Sequence, residues 1–319
     1  MTYRRAHAAT PKAAAAVTIV LLVSLGCAHG QTPAPPAQGF DGARAHEHVR
    51  RLVAIGPRVA GTPGAGQARE YITRQLQALG LTADEQSFEA ATPAGPVKMV
   101  NLRVTIPGGD GRAPDPSTGS GQDRLIIAGH YDTKRFREFA FVGANDAGSS
   151  TAFLIEIARA LKNRKNALPI ELLFLDGEEA VVEWQGTDHT YGSRYYVETA
   201  RKAGTLTHIR ALVLVDMIGD RDLQISRESN STAWLTDIIW TSATRLKRRE
   251  FLDRETAIED DHLPFLQAGV PSVDIIDLDY PAWHTAGDTL DKVSAGSLQV
   301  VGDVLLAALP EIEKKLIKP

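Results

Sequence analysis

Ile170-Glu171-Leu172-Leu173-Phe174-Leu175-Asp176-Gly177-Glu178-Glu179 decides the architecture. Its first six residues, apolar but for Glu171, form a run of buried-strand type that stops at Gly177. Runs of the same kind recur at residues 99–106, 125–128, 211–215 and 273–276. Between the second and third strand, Leu154, Ile157, Ala158 and Leu161 recur at i, i+3, i+4 and i+7 and predict a helix. Two further helices precede the strands. Val49, Leu52, Val53 and Ile55 mark the first, stopped by Gly56-Pro57; Tyr71, Ile72, Leu76 and Leu79 mark the second, ending at Gly80. A last helix is predicted over 297–309. Alternation of this sort predicts an α/β fold: a single-domain α/β/α sandwich around a mixed, mainly parallel central sheet. No internal repeat is visible. The stretch 107–122, mostly Gly, Pro, Ser and Asp, reads as a mobile surface excursion.

Ligands of such sheets collect at the carboxyl ends of the strands, and the reactive side chains of this chain fall there. His130-Tyr131-Asp132 follows the run at 125–128, and Asp146 comes soon after. Glu178-Glu179 follows the run at 170–175, Asp216 the run at 211–215, and His284 the last strand. One histidine or aspartate at a strand end is ordinarily a cap or a hydrogen-bonded core residue. Candidates at five places, each ending a different strand or opening the next loop, point to one site. Carboxylates and imidazoles suit zinc, and a neighbouring carboxylate that is not a ligand can serve as a base. Glu178-Glu179 alone would pass for a charged turn, but like charges gathered together are costly unless a cation is present. Asp132, two residues after His130, is expected to hold its ring and fix the tautomer.

Composition sets the outer limits. The 319 residues are 43% hydrophobic, enough for one large core. A net charge of −4 with no basic stripe excludes a nucleic-acid partner. Arg4, Arg5 and Lys12 precede an apolar stretch, 13–26, that is too short to span a bilayer comfortably, and Ala28-His29-Gly30 supplies small residues. Residues 1–30 are therefore read as a signal peptide cleaved after Gly30, 31–44 as a Pro/Ala-rich linker and 45–319 as the catalytic domain. Cys27, the one cysteine, would carry a lipid in a lipoprotein signal, but Ser24 stands where such signals usually have Leu. Cleavage removes three positive charges and no acid, so the net charge moves from −4 to −7. The expectation is an exported monomer, periplasmic or secreted, with neither a stable membrane span nor a disulfide.

The motifs resemble a known group. His130-Tyr131-Asp132-Thr133, Gly143-Ala144-Asn145-Asp146, Asp176-Gly177-Glu178-Glu179-Ala180, Asp216-Met217-Ile218-Gly219 and Trp283-His284-Thr285 are similar to those of the M28 zinc aminopeptidase superfamily. Within it the chain looks most like the glutaminyl-peptide cyclotransferases, or glutaminyl cyclases. Trp184 followed by Tyr191-Gly192-Ser193-Arg194, then Asp260-Asp261-His262-Leu263-Pro264-Phe265, Tyr280 and Trp283-His284 carry that likeness.

The resemblance implies one catalytic zinc held by Asp146, Glu179 and His284, with Glu178 as proton shuttle and Asp216 and Asp260 as a hydrogen-bonded acid pair. It also implies a substrate pocket lined by Trp184, Tyr280 and Trp283, the substrates being peptide or protein N-termini. The rival is a two-zinc aminopeptidase, with a second metal on His130 and Asp216 and with Asp146 bridging. The ligands alone do not separate the two; Trp184, Asp260 and Trp283 favour the cyclase, whereas the acidic Asp277-Leu278-Asp279-Tyr280-Pro281 suits recognition of a free α-ammonium. A non-catalytic binding module is the third reading, opposed by the intact ligands and Glu178. Trp234 and Trp240 are assigned to core or surface, and His46, His48, His189 and His208 receive no site role; His262 is placed to orient the acid pair.

Overall fold

The computed structural model describes residues 39–109 and 122–317. The signal peptide, most of the linker and residues 110–121 of the expected surface excursion lie outside the described residues.

Four parallel strands form the centre: β3 (Arg124–His130), β4 (Ile170–Leu175), β5 (Ile209–Asp216) and β8 (Ser272–Ile276). Two antiparallel strands extend one side, β2 (Gly95–Ile106) against β4 and β1 (Asp84–Thr92) against β2, giving the order β1-β2-β4-β3-β5-β8. Every residue of β3, β4 and β8 is buried, as expected of strands covered on both faces. Their side chains alternate between two layers. Leu125, Ile127, Val213 and Val215 pack into the large core built with α1 (Gly42–Ile55), α2 (Pro63–Ala78), α3 (Gly148–Lys162), α5 (Ala233–Arg245) and α7 (Ala295–Ile317). Ile126, Ala128, Leu212 and Leu214 face the opposite way, against α4 (Tyr191–Lys202) and α6 (His262–Gln267). The architecture is the mixed, mainly parallel sandwich that the alternation predicts.

Some elements differ from the sequence expectation. Phe40, in the stretch read as linker, is buried against Phe153, with centroids 4.9 Å apart. Asp41 caps α1 by accepting from the N–H groups of Ala43 and Arg44 at 3.0 and 3.1 Å. Strand β1, helices α4 to α6 and a two-stranded parallel side sheet, β6 (Ile225–Glu228) with β7 (Phe251–Thr256), were not foreseen. Among the described residues α7 alone is long and apolar enough to cross a bilayer, but Leu298, Val301, Val304, Leu305 and Leu309 sit in the main core.

Candidate active site

The strand ends gather the site as expected, and local hydrogen bonds aim it. Strand β3 ends on His130, whose carbonyl accepts from Ser150 Oγ and Thr151 Oγ1 of α3 at 3.1 and 2.9 Å. After β4 the chain turns at Gly177, where φ is +68° and a Cβ would collide with Met99 Sδ. The turn delivers Glu178 and Glu179, whose backbone N–H groups both donate to the Asp132 carboxylate at 3.1 and 3.3 Å. Asp132 Oδ1 also lies 3.5 Å from His130 Nδ1, within ion-pair reach of the ring it was expected to hold. Asp288 does the same for the next loop, accepting from the N–H groups of Asn145 and Asp146 at 2.9 and 3.1 Å. His284 itself, Ala147 beside Asp146 and Met217 beside Asp216 all have positive φ, at +53°, +75° and +46°. Left-handed non-glycine residues are uncommon, and their clustering here means that the surrounding packing imposes the site's geometry.

Two groups of side chains could hold a metal, with the ligand atoms in each within 4.8 Å of one another: Asp146, Glu179 and His284, and His130, Asp146 and Asp216. His284 Nε2 lies 3.2 Å from Asp146 Oδ2 and 3.1 Å from Glu179 Oε1. His130 Nε2 lies 3.1 Å from Asp216 Oδ1 and 3.4 Å from Asp146 Oδ1. Asp146 Oδ2, Glu179 Oε2 and His130 Nδ1 are buried without a hydrogen bond, which protein interiors rarely tolerate. Unused lone pairs in a closed set of carboxylates and imidazoles fit a divalent cation.

The electrostatics agree. Burial pushes the Glu178 carboxyl far above its ordinary value, with His130 opposing and Glu179, Asp260 and Asp261 reinforcing. Burial likewise raises Glu179, with Asp146 adding to it, and raises Asp216 against the pull of His130. Asp260 is lifted to about 6 by burial and by Asp216. Burial works against a charged His284, yet its bonds to Asp146 and Glu179 carry it to about 9. Each of these shifts favours the protonated form; a cation would supply positive charge in place of those protons.

Rings brace His284. Trp283 stacks on it at 4.5 Å, and Phe136 and Phe141 meet it edge-on at 5.8 and 5.9 Å. A cavity of about 610 Å³ opens over the site, with Asp146, Glu178, Glu179, Asp216, Asp260 and His284 among its lining. Trp184, Trp283, Ile258 and Leu278 give it apolar walls, and Lys134 reaches in, Nζ 3.5 Å from Glu179 Oε2. Trp283 stands at the mouth, 44% exposed.

Three expectations need correction. Tyr280 does not line the cavity: it is buried, and its hydroxyl donates to Asp288 Oδ1 at 2.6 Å, because a buried phenol needs an acceptor. Tyr280 thus supports the Asp146 loop from behind, and Leu278 takes the wall position. Asp216 and Asp260 both reach the cavity, but among the described residues no hydrogen bond joins them. Asp216 accepts from His130 and the Met217 N–H, and Asp260 from the Asp261 N–H. His262 makes its hydrogen bond to Glu228 and not to that pair, with Nε2 3.1 Å from Glu228 Oε2 and Nδ1 3.6 Å from Asp274 Oδ2. Trp240 is core, as expected, its indole N–H on the Leu252 carbonyl at 2.8 Å.

Comparison with known proteins follows the same lines. Residues 113–309 match the model of peptidase family M28. The glutaminyl-peptide cyclotransferase of Drosophila melanogaster is 31% identical over 277 residues, covering 77% of this chain and 75% of its own. A glutaminyl cyclase crystal structure from an Acidobacteriales bacterium is 39% identical with a TM-score of 0.80, over 89% of this chain and 98% of that one. That of Porphyromonas gingivalis is 27% identical with a TM-score of 0.75, over 86% and 99%. With its strand-end acids and histidines in place, this chain belongs to peptidase family M28, in the glutaminyl-peptide cyclotransferase branch.

Proposed function

We propose that the site converts the N-terminal glutamine of peptides or proteins to pyroglutamate with release of ammonia, Glu178 being the proton shuttle. The observation that carries this reading is the position of Glu178. It lines the cavity and is buried, its backbone is fixed by Asp132, and it belongs to neither ligand group. Asp146, Glu179 and His284 are the residues that would hold one zinc ion. When bound, zinc supplies a Lewis acid for the γ-carbonyl of the substrate glutamine.

Glu178 takes a proton from the α-amine as its nitrogen bonds to the side-chain carboxamide carbon, Cδ. The carbon–nitrogen bond of the carboxamide then breaks, and Glu178 returns the proton to the departing ammonia. The raised affinity of Glu178 for protons suits a group that must accept and release one in each turnover. Attack is intramolecular, so holding the side chain folded supplies much of the rate. Trp184, Trp283, Ile258 and Leu278 wall the cavity against water, whose attack would give hydrolysis instead. Asp216 and Asp260 reach the same cavity and supply acceptors for the α-amine.

The second ligand group, His130, Asp146 and Asp216, is what favours the alternative, a two-zinc aminopeptidase. Residues 1–30 are read as directing export, with the enzyme acting on its substrates outside the cytoplasm as a monomer. Glu178→Gln tests the shuttle: turnover should fall about 10²- to 10⁴-fold with zinc content unchanged. Wild-type turnover would remove Glu178 from the chemistry, and lost zinc would make it a ligand.

A further inference from the structure

Trp184, one wall of the cavity, is set in the loop between β4 and α4. The loop backbone is anchored by Asp188, whose carboxylate accepts from the N–H groups of Val181, Val182 and Glu183 at 3.1, 2.8 and 2.8 Å. Those bonds stop one residue short of Trp184 and leave the indole's two side-chain torsions to be set otherwise. Two contacts set them. The imidazole of His189 lies flat on the indole, centroids 4.2 Å apart and planes 11° from parallel. The indole N–H reaches Glu259 Oε2 at 3.3 Å. His189 is held in turn: its carbonyl accepts from Arg194 Nη2 at 2.8 Å, and its Nδ1 meets Thr190 Oγ1 at 3.2 Å. It does not line the cavity, so any effect on substrate passes through Trp184.

We propose that His189 is a positioning residue for cyclisation, its stacked ring holding the Trp184 indole as the wall against which the glutaminyl side chain folds. The proposal rests on the reading of the cavity as the cyclase site. Removing the stack lets the indole swing among its rotamers, so substrate must reorder it on binding. Aromatic stacking of this kind corresponds to roughly a 2- to 10-fold change in KM, with little change in kcat.

The test compares His189→Ala and His189→Phe in the zinc-loaded protein, with His189→Leu as a second non-planar variant should the alanine protein fail to fold. His189→Ala should raise KM for Gln-Ala-Phe-amide about 2- to 10-fold with kcat held within about twofold, and His189→Phe should restore it. In a Trp184→Ala background His189→Ala should have no further effect. The near-UV circular dichroism of Trp184, taken as the difference from Trp184→Phe, should collapse with alanine and return with phenylalanine. This last readout needs no turnover, so it judges the stack even if the cavity proves to do other chemistry. An unchanged spectrum and KM in His189→Ala, equal losses with alanine and phenylalanine, or the same KM penalty without Trp184 would each overturn the proposal.

Discussion

Asp132 is where one substitution separates two accounts of the same carboxylate. Its oxygens accept the N–H groups of Glu178 and Glu179 at 3.1 and 3.3 Å, in surroundings where Asp132 is buried. A buried donor left without its partner costs about 1–3 kcal/mol, so Asp132→Ala, which strands both, should lose about 2–6 kcal/mol. That approaches the whole stability of many domains. Asp132→Asn is the more informative variant, because its carbonyl keeps one donor and its amide opposes the other. The expected loss is about 1–3 kcal/mol, which lowers the melting temperature by roughly 2–12 °C. Zinc affinity and turnover should each fall about 10- to 100-fold, since the same bonds aim Glu179 and Glu178, the proposed ligand and shuttle. The assays are thermal melts, competitive zinc titration and steady-state cyclisation, all repeated on His130→Ala. If Asp132 clamps the glutamate turn, Asp132→Asn retains most of its penalty in the His130→Ala background. The reasoning fails if Asp132→Asn behaves as wild type, or if its penalty vanishes once His130 is gone.

Other substitutions probe the remaining parts. His284→Ala should abolish zinc retention through dialysis, read by elemental analysis; full metal content would remove His284 from the ligands. Trp283 is 44% exposed, so Trp283→Ala should move stability by less than about 1 kcal/mol while kcat/KM falls tenfold or more. Equal losses in both would return Trp283 to a packing role. Burial, with Asp220 adding, pushes the Asp277 carboxyl up to about 7 against the Gln224 N–H and Arg254. Between its unfolded value of about 3.9 and that point the folded state binds the extra proton, so stability contributed at low pH is lost as pH rises from about 4 to 7. Asp277→Asn should flatten that part of the melting-temperature profile; an unchanged slope would show that another group sets it.

The fold was legible where burial leaves a plain signature. Strands β3, β4, β5 and β8 are sandwiched between helices, so their apolar runs stand out. Strand β1 is largely exposed and reads Asp-Glu-Gln-Ser-Phe-Glu, with too little alternation to see. Phe40 looked like linker because it lies just outside α1 and follows Pro/Ala-rich sequence; Phe153, 113 residues on, and Gly302 of α7 give it a reason to be buried. The candidate metal-binding side chains were legible because they end strands or lie in the loops that follow them. Asp288, which aims the Asp146 loop, and Asp188, which anchors the loop carrying Trp184, were not, since they act on backbone N–H groups, which leave no mark in side-chain pattern. Tyr280 shows the limit of analogy by motif: its place beside Trp283-His284 suggested the pocket, and Asp288 drew its hydroxyl elsewhere. His189, given no role from sequence, became visible only through its stack on Trp184.

The most direct test of the central claim is mass spectrometry of Gln-Ala-Phe-amide after incubation with the zinc-loaded protein, with and without a chelator. The account predicts a product lighter by one ammonia with every peptide bond intact, and no change when the chelator is present. Release of free glutamine would contradict it and make the enzyme a peptidase, with a second metal expected on His130 and Asp216.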